Sequence, residues 1–411
     1  MIVGAGAAGL ATAIFAHRLN PSLPVRLLDG ARAPGAKILV SGGSRCNVTN
    51  ASVTERDFWG GSPSLVRRVL RAFPVADTVA FFGEIGIALR EEAGGKLFPT
   101  TNRARDVLDA LLGEARRVGV QLEAGRRVVD VLPSGDAFRI VTASGELIAS
   151  RAVLATGGQA LPKSGSDGAG YAIARRLGHT IVPTTPALAP LLLDEHDGTH
   201  GQLSGVSHDV ELAVRVDDAI AVRLAGALLW THFGVSGPVV LNASRHWLRA
   251  QLEGRAATVT ANFCPGRRFG DVDEEWQSRA RGTPKASVHA TLASVVPASV
   301  ATACLRRLDI DGARTLAHLA RDDRRRIVRA LVEWPLPVTG SRGYTFAEAT
   351  AGGVMLTEID AATMGSRVCS GLSVVGEVLD VDGRIGGFNF QWAWSSGFVA
   401  GRALAMGAAR A

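Results

Sequence analysis

The chain has 411 residues, 47% of them hydrophobic, which suffices for two or three domains with a sizeable core and excludes a disordered tail. Four cysteines with no Cys-x-x-Cys pair exclude a dense disulfide framework and point to a reducing cytoplasm. The net charge of +7 permits an anionic partner such as nucleic acid. Only four of the 45 basic residues are lysine, however (Lys37, Lys96, Lys163, Lys285), a bias that also fits GC-rich codon usage.

The first element is the segment Ile2 to Ala16. It has no basic flank and is interrupted by patterned glycines, so it reads as the opening of a fold and not as a secretory signal. Ile2-Val3 ends a buried strand, Gly4-Ala5-Gly6-Ala7-Ala8-Gly9 is a G-x-G-x-x-G turn, and an apolar helix follows. Gly4 permits the bend, Gly6 lets the backbone approach a pyrophosphate, and Gly9 lets helix pack on strand. The helix N-terminus at Ala7 and Ala8 offers N–H groups to phosphate. The next strand, Val25 to Asp29, ends in an acid 20 residues after Gly9, where a carboxylate accepts the hydrogen bonds of a ribose. Only Met1, Ile2 and Val3 precede the turn, where a central strand normally has about five residues, so residues upstream of Met1 are expected to complete it.

From Gly35 to Asn50 runs a dense string of glycine, hydroxyl, amide and cation containing Lys37, Ser41, Gly42, Gly43, Arg45, Cys46 and Asn47. Short polar residues around paired glycines favour an irregular loop whose N–H groups and side chains converge on an anion or a polar ring. Residues 107–118 fit an amphipathic helix. The β-rich stretch from Val120 to Ala155 carries the turn Pro133-Ser134-Gly135-Asp136. Ala152 to Leu154 is a buried strand running into Ala155-Thr156-Gly157-Gly158, and Leu372 to Val375 is another, leading into Gly376-Glu377.

Between about 186 and 339 the glycine-turn pattern stops. Short alternating runs (Val210 to Val216, Ala219 to Leu224, Ala257 to Phe263) give way to helical sequence after Val288, which predicts an inserted β-barrel-like plus helical domain over 186–342. The remainder, 1–185 with 343–411, forms a discontinuous α/β domain. Asp194-Glu195-His196-Asp197 with His200 lacks a fixed ligand spacing and reads as a polar turn, so no metal is expected. The basic run Arg321 to Arg329 reads as a solvated helix face laced with ion pairs, against a phosphate-contact alternative. No apolar run reaches 18 residues and no membrane span is expected.

Taken together, several blocks resemble the BaiN/RdsA-type NAD(P)/FAD-dependent oxidoreductases, also called the YhiN-like or aminoacetone oxidase family. They are the opening glycine turn, K-x-x-x-S-G-G-x-R-C-N-x-T-N from Lys37, Lys96 to Pro99, A-T-G-G from Ala155, Gly165 to Gly170, Thr231 to Pro238, Thr350 to Val354, and the tail from Gly376 to Gln391. The resemblance implies FAD in a glutathione-reductase-like Rossmann domain. It places the pyrophosphate over Gly4, Gly6 and Gly9, the adenosine ribose on Asp29, adenine against Val128, and Ala155, Thr156 and Gly157 beneath the nucleotide. It also places Gly376 and Glu377 at the ribityl chain and Gly386, Gly387, Asn389 and Gln391 at the flavin pyrimidine. A helix beginning near Asn389 aims its positive end at flavin N1 and O2 and favours the reduced state.

For the chemistry, Cys46 beside Arg45 is a candidate acid or thiolate, with a buried structural thiol as the alternative. His232 is a candidate acid or substrate ligand, with a structural hydrogen-bonding role as the alternative. Lys37 and Arg45 bind the cofactor phosphates or an anionic substrate. Position 51 is alanine, which disfavours a dithiol relay. There is no second strand–G-x-G-x-x-G–helix unit, so NAD(P)H is expected as a transient donor visiting the flavin directly. The resemblance implies reduction of a conjugated C=C bond in either a ribosomal RNA uracil or an oxo-bile acid, and the basic charge favours RNA. A flavin-bearing RNA-binding protein without turnover and an amine oxidase using O2 are the alternatives.

Overall fold

The computed structural model describes residues 1–408, and the chain divides into two compact units, Met1–Ala187 with Tyr344–Ala411, and Leu188–Gly343. The sequence boundaries at 185/186 and 342/343 lie within two residues of these.

The first unit is built on a seven-stranded sheet in which five strands run parallel, out to one edge, in the order Leu372–Val374, Ala152–Leu154, Ile2–Val3, Arg26–Asp29, Gln121–Ala124. The three inner strands Leu372–Val374, Ala152–Leu154 and Ile2–Val3 are buried throughout, as strands covered on both faces are. Ile2, Leu27, Leu28, Val153, Leu154 and Val374 are all buried. The helices Ala7–Leu19 and Phe388–Ala408 lie against each other, although the chain's two ends supply them. Their approach depends on small residues. A Cβ at Gly397 would lie 2.8 Å from Ala8 O, and one at Gly401 2.8 Å from Thr12 O. The antiparallel excursion expected before Ala155 is present as Val128–Ser134, Ala137–Thr142 and Gly145–Ala149, and the expected helix runs over Ala104–Val118.

The second unit has its own core around Trp230, Trp276 and Trp334. Its antiparallel sheet orders seven strands as Trp334–Leu336, Ala257–Asn262, Ser207–Val216, Ala219–Thr231, Gly234–Ser236, Leu191–Leu193, Val338–Ser341. The two end strands are joined through Pro337 alone. Five helices of six or more residues accompany them, and two of these, Pro238–Leu252 and Phe269–Gly282, precede the point where helical sequence was expected to begin.

The basic helix Arg321–Val332 engages three of its five arginines with other residues of the chain. Arg324 pairs with Asp273 at 2.9 Å, Arg326 with Asp323 at 3.1 Å, and Arg325 lies over the Phe269 ring. Among the described residues no helix is long and apolar enough to cross a membrane.

Candidate functional site

In open parallel sheets ligands gather beyond the carboxyl ends of the strands. Four such ends deliver most of the residues singled out from sequence: Val3 runs into Gly4, Asp29 closes its strand, Leu154 runs into Ala155-Thr156-Gly157, and Val374 runs through Val375 into Gly376-Glu377.

The glycine turn is packed on one side and open on the other. Gly4 has φ +105°, and its N–H donates to Leu28 O at 2.8 Å; a Cβ there would overlap Ala155 O and lie 2.9 Å from Ala155 C. A Cβ at Gly9 would fall inside the van der Waals radius of Gly4 O and lie 3.0 Å from Gly4 C. Above Gly6, by contrast, no atom lies within 4 Å of the position a Cβ would take. The helix that starts here has Gly6 as its N-cap, no side-chain cap and no acid in its first turn, so its leading N–H groups face that open side. This cradle fits a dinucleotide pyrophosphate, the group that FAD carries.

Asp29 Oδ2 accepts from Ala5 N and Oδ1 from Ala31 N, both at 2.7 Å. Each oxygen retains a lone pair for a ribose hydroxyl.

The polar loop forms the short helix Ala36–Ser44, broken at Ser41, Gly42 (φ +55°) and Gly43 (φ +68°). Gly42 and Gly43 are exposed at its crest. Lys37 Nζ is ion-paired with Glu377 Oε2, joining residues 340 positions apart, while Glu377 Oε1 accepts from Thr350 N at 3.0 Å. These two side chains, expected at the cofactor, therefore stand together at one end of the sheet.

Several other expectations are corrected. The Arg45 guanidinium, expected on a cofactor phosphate or an anionic substrate, is engaged by a carboxylate of the chain itself. It contacts both oxygens of Glu92 at 3.0 Å, holding that carboxyl below its ordinary pKa, and lies 3.9 Å over the Phe98 ring. Arg45 thus fastens the loop to the strand pair Leu89–Glu92 and Lys96–Pro99.

Cys46 is 0% exposed, and burial pushes its thiol up to about 12 against a smaller opposing hydrogen bond from Ser41. A thiol so placed stays protonated and out of reach of substrate, which favours the structural alternative.

Gln391 is also enclosed. Its Nε2 donates to Phe73 O and Ser395 Oγ, both at 3.0 Å, and its Oε1 accepts from Thr49 Oγ1 at 2.6 Å and Thr78 Oγ1 at 3.0 Å. The Asn389 amide is spent on the Gly383 backbone at 2.8 and 2.9 Å. The Asn389 amide thus braces the turn ahead of Phe388–Ala408, and the Gln391 amide ties that helix to Thr49, Phe73 and Thr78. Within that turn Gly387 has φ +94°, and a Cβ there would lie 2.5 Å from Thr49 C and O.

Asn47 and Val128 are buried, and Thr156 and Gly157 are half-buried. Gly376 has φ +77°. It donates its N–H to Ser396 Oγ at 3.1 Å and accepts Trp392 Nε1–H at 3.1 Å.

His232 belongs to the second unit. It is exposed at the turn after Ala219–Thr231, its ring edge-on to Phe233.

The second unit also holds a cavity of about 240 Å³ that the sequence did not reveal. It is lined by Arg245, His246, Arg249, Glu253 and Arg255, with small apolar residues as its floor. Glu253 is shared loosely by Arg249 at 3.8 Å and Arg255 at 3.7 Å, and Arg255 also bonds Asp217 at 2.7 Å. Burial, reinforced by Arg245, holds His246 down to about 4, so it is neutral at physiological pH. The cations of this cavity outnumber its carboxylates.

Residues 1–403 match the family described as HI0933-like protein Rossmann domain. The chain is 33% identical over 405 residues to a 3-dehydro-bile acid delta(4,6)-reductase of Clostridium scindens, covering 98% of each. It is 32% identical over 407 residues to a ribosomal RNA dihydrouridine synthase of Escherichia coli, covering 98% of this chain and 97% of the relative. The corresponding synthase of Haemophilus influenzae is 31% identical over 403 residues, with 97% and 96% covered. Among solved structures, an Escherichia coli quinol fumarate reductase chain shares the fold with TM-score 0.51 at 16% identity, covering 99% of this chain and 70% of that one.

Proposed function

The chain belongs to the HI0933-like family and is an FAD-dependent oxidoreductase, and from that premise we propose that it reduces the C5=C6 bond of a uracil in ribosomal RNA. The bound flavin supplies a hydride equivalent. The chain's own residues do the rest. The turn Gly4 to Gly9, with the N–H groups of Ala7 and Ala8, holds the pyrophosphate, Asp29 the ribose, and Val128 the adenine edge by its backbone. Ala155 to Gly157 underlie the nucleotide, Gly376 and Glu377 with Lys37 meet the ribityl chain, and the Gly386-Gly387 turn meets the pyrimidine. The positive end of helix Phe388–Ala408 would favour negative charge on a flavin pyrimidine held at that turn, and the absence of a second glycine-turn unit in the sequence would leave NAD(P)H to act as a transient donor.

Full-length similarity supports reduction of a conjugated double bond, since the curated relatives carry the names of a steroid double-bond reductase and of dihydrouridine synthases. The observation that favours RNA is the arginine-lined cavity. Arg245 and Arg249 stand one helical turn apart and Arg255 follows just past the helix end, an arrangement of guanidinium forks that suits a run of phosphate oxygens. The test is mass spectrometry of ribosomal RNA from a deletion strain, where a uridine is expected at a position carrying the form two mass units heavier in the parent. Identical RNA from both strains, with turnover of an unsaturated oxo-steroid by the purified protein, would transfer the assignment to the steroid class.

A further inference from the structure

A polar side-chain atom sealed inside a protein is almost always hydrogen-bonded, so one that is not marks a place where something outside the chain completes the bond. The Tyr171 hydroxyl is such an atom. Tyr171 is 6% exposed, and its Oη closes no hydrogen bond with any of the described residues.

The turn beyond Ala155 fixes its position. Tyr171 is the third residue of the helix Ala169–Arg176; its N–H donates to Gly168 O at 3.0 Å, and Gly168 N donates to Gly158 O at 3.1 Å. A Cβ at Gly170 would overlap the Thr156 hydroxyl, and one at Gly158 would overlap Thr350 Oγ1 and lie 3.0 Å from Glu377 Oε1. The first turn of this helix is therefore packed on the segment Thr156 to Gly158, and Thr350 and Glu377, the partner of Lys37, adjoin the same segment. The Glu377 carboxylate is the strongest charge acting on the Tyr171 phenol, and the Thr350 hydroxyl bears on it as well.

The direction of the missing bond follows from what these neighbours have already spent. Thr350 Oγ1 accepts the N–H groups of Gln159 and Ala160 at 2.8 and 3.0 Å, which fills both its lone pairs and leaves it only a proton to give. Glu377 meets Lys37 through Oε2 and Thr350 N, at 3.0 Å, through Oε1. Tyr344 passes its own hydroxyl proton to Thr184 Oγ1 at 3.0 Å. Burial, reinforced by Glu377, raises the Tyr171 pKa, so the phenol keeps its proton at physiological pH. What it lacks is an acceptor oxygen.

We propose that Tyr171 is a cofactor ligand whose hydroxyl donates a hydrogen bond to a ribityl oxygen of FAD. The proposal rests on the placement of the cofactor given above, in which Glu377 meets the ribityl chain and the pyrophosphate belongs to the Gly4 to Gly9 turn. The phenol gives up its water when the chain folds. It therefore meets the cofactor already desolvated and held by the helix, and the bond adds affinity at little further cost to the protein.

The test compares wild type, Tyr171→Phe and Asp29→Ala as apoproteins, by thermal melts without ligand and by titration with FAD and, separately, with ADP, which has the adenosine and pyrophosphate but no ribityl chain. Tyr171→Phe is expected to bind FAD about 10-fold more weakly, toward the upper end for one hydrogen bond between uncharged groups. It is expected to bind ADP like wild type and to melt at or above the wild-type temperature, since the change removes a buried hydroxyl that has no bond to lose. Asp29→Ala is expected to weaken both ligands. Wild-type FAD affinity in Tyr171→Phe beside a weakened Asp29→Ala overturns the role of Tyr171 alone, and a lowered melting temperature in the same variant identifies its hydroxyl as structural. Equal losses of FAD and ADP affinity in Tyr171→Phe overturn the ribityl assignment. Should neither variant weaken FAD, the placement of the cofactor falls and takes the proposal with it.

Discussion

Gly6 and Gly9 belong to one motif but do different work, and alanine at each position separates the two. At Gly9, inside the helix Ala7–Leu19, helix propensity alone favours alanine by about 1 kcal/mol. Against this, the new methyl would overlap Gly4 O and touch Ala155 Cβ at 3.3 Å. Gly4 cannot retreat, because its N–H is tied to Leu28 O and its other side abuts Ala155. Overpacking costs about 1–3 kcal/mol, and a backbone obstacle puts this case at the upper end. The net expectation for Gly9→Ala is a loss of about 2 kcal/mol, or roughly 4–8 °C in the Tm of the apoprotein.

Gly6 has φ −80° and ψ −169°, open to any residue, and nothing near its absent Cβ. Gly6→Ala should therefore melt like wild type without FAD. It should also bind FAD about 10- to 150-fold more weakly, the equivalent of about 1.5–3 kcal/mol for one lost hydrogen bond to a charged phosphate. Circular dichroism melts of the apoproteins and flavin fluorescence titrations read both quantities. Wild-type FAD affinity in Gly6→Ala would refute the placement of the pyrophosphate on this turn, and an unchanged Tm in Gly9→Ala would refute the packing argument.

Cys46→Ala is expected to keep its FAD and to turn over within about twofold of wild type, at a cost of about 1 kcal/mol for the lost core volume; a drop of more than tenfold with flavin retained would restore the thiol as the acid. The double variant Arg245→Ala, Arg249→Ala should bind single-stranded ribosomal RNA fragments with a log–log salt slope shallower by about 1.4, two phosphate contacts at about 0.7 each, and with FAD content unchanged. Parallel salt plots would remove the cavity from the RNA surface. His246, held down to about 4 by burial and then by Arg245, stays neutral in the folded chain at pH values where the unfolded chain takes up a proton. Stability is therefore expected to fall as pH drops from about 6.5 to about 4 and then to level off, by about 3 kcal/mol in all. Urea unfolding of wild type and His246→Gln across that range would refute this if the two pH slopes coincide.

Much of the site was legible because backbone geometry writes itself into residue type. A turn with φ +105° at Gly4 and helix-on-loop contact at Gly9 leaves only glycine possible, and the acid ending Arg26–Asp29 follows from the strand–turn–helix repeat. Polar side chains were less legible, since a glutamine reads the same whether it faces a ligand or a core. Gln391 was expected at the flavin and instead ties Thr49, Phe73, Thr78 and Ser395 together. Arg45 was expected on an anion and instead found Glu92, a partner 47 residues away that no local pattern announces. The inserted unit was legible in its strands and in the helices after Val288, Arg321–Val332 among them, but not in Pro238–Leu252 and Phe269–Gly282, which fall among the strand-like runs.

The interleaving of the two units also bears on how the chain is made. Residues 188–343 are contiguous and leave the ribosome as a complete folding unit with a tryptophan core of their own. The segment before them must wait, because the helix that covers Ala8 and Thr12 and the carboxylate that meets Lys37 are translated last. During that interval the strand Ala152–Leu154 lacks its parallel neighbour Leu372–Val374 and the helix Ala7–Leu19 lacks its partner Phe388–Ala408. A message cut short after codon 343 would yield one sound module tethered to a half that proteases can clear.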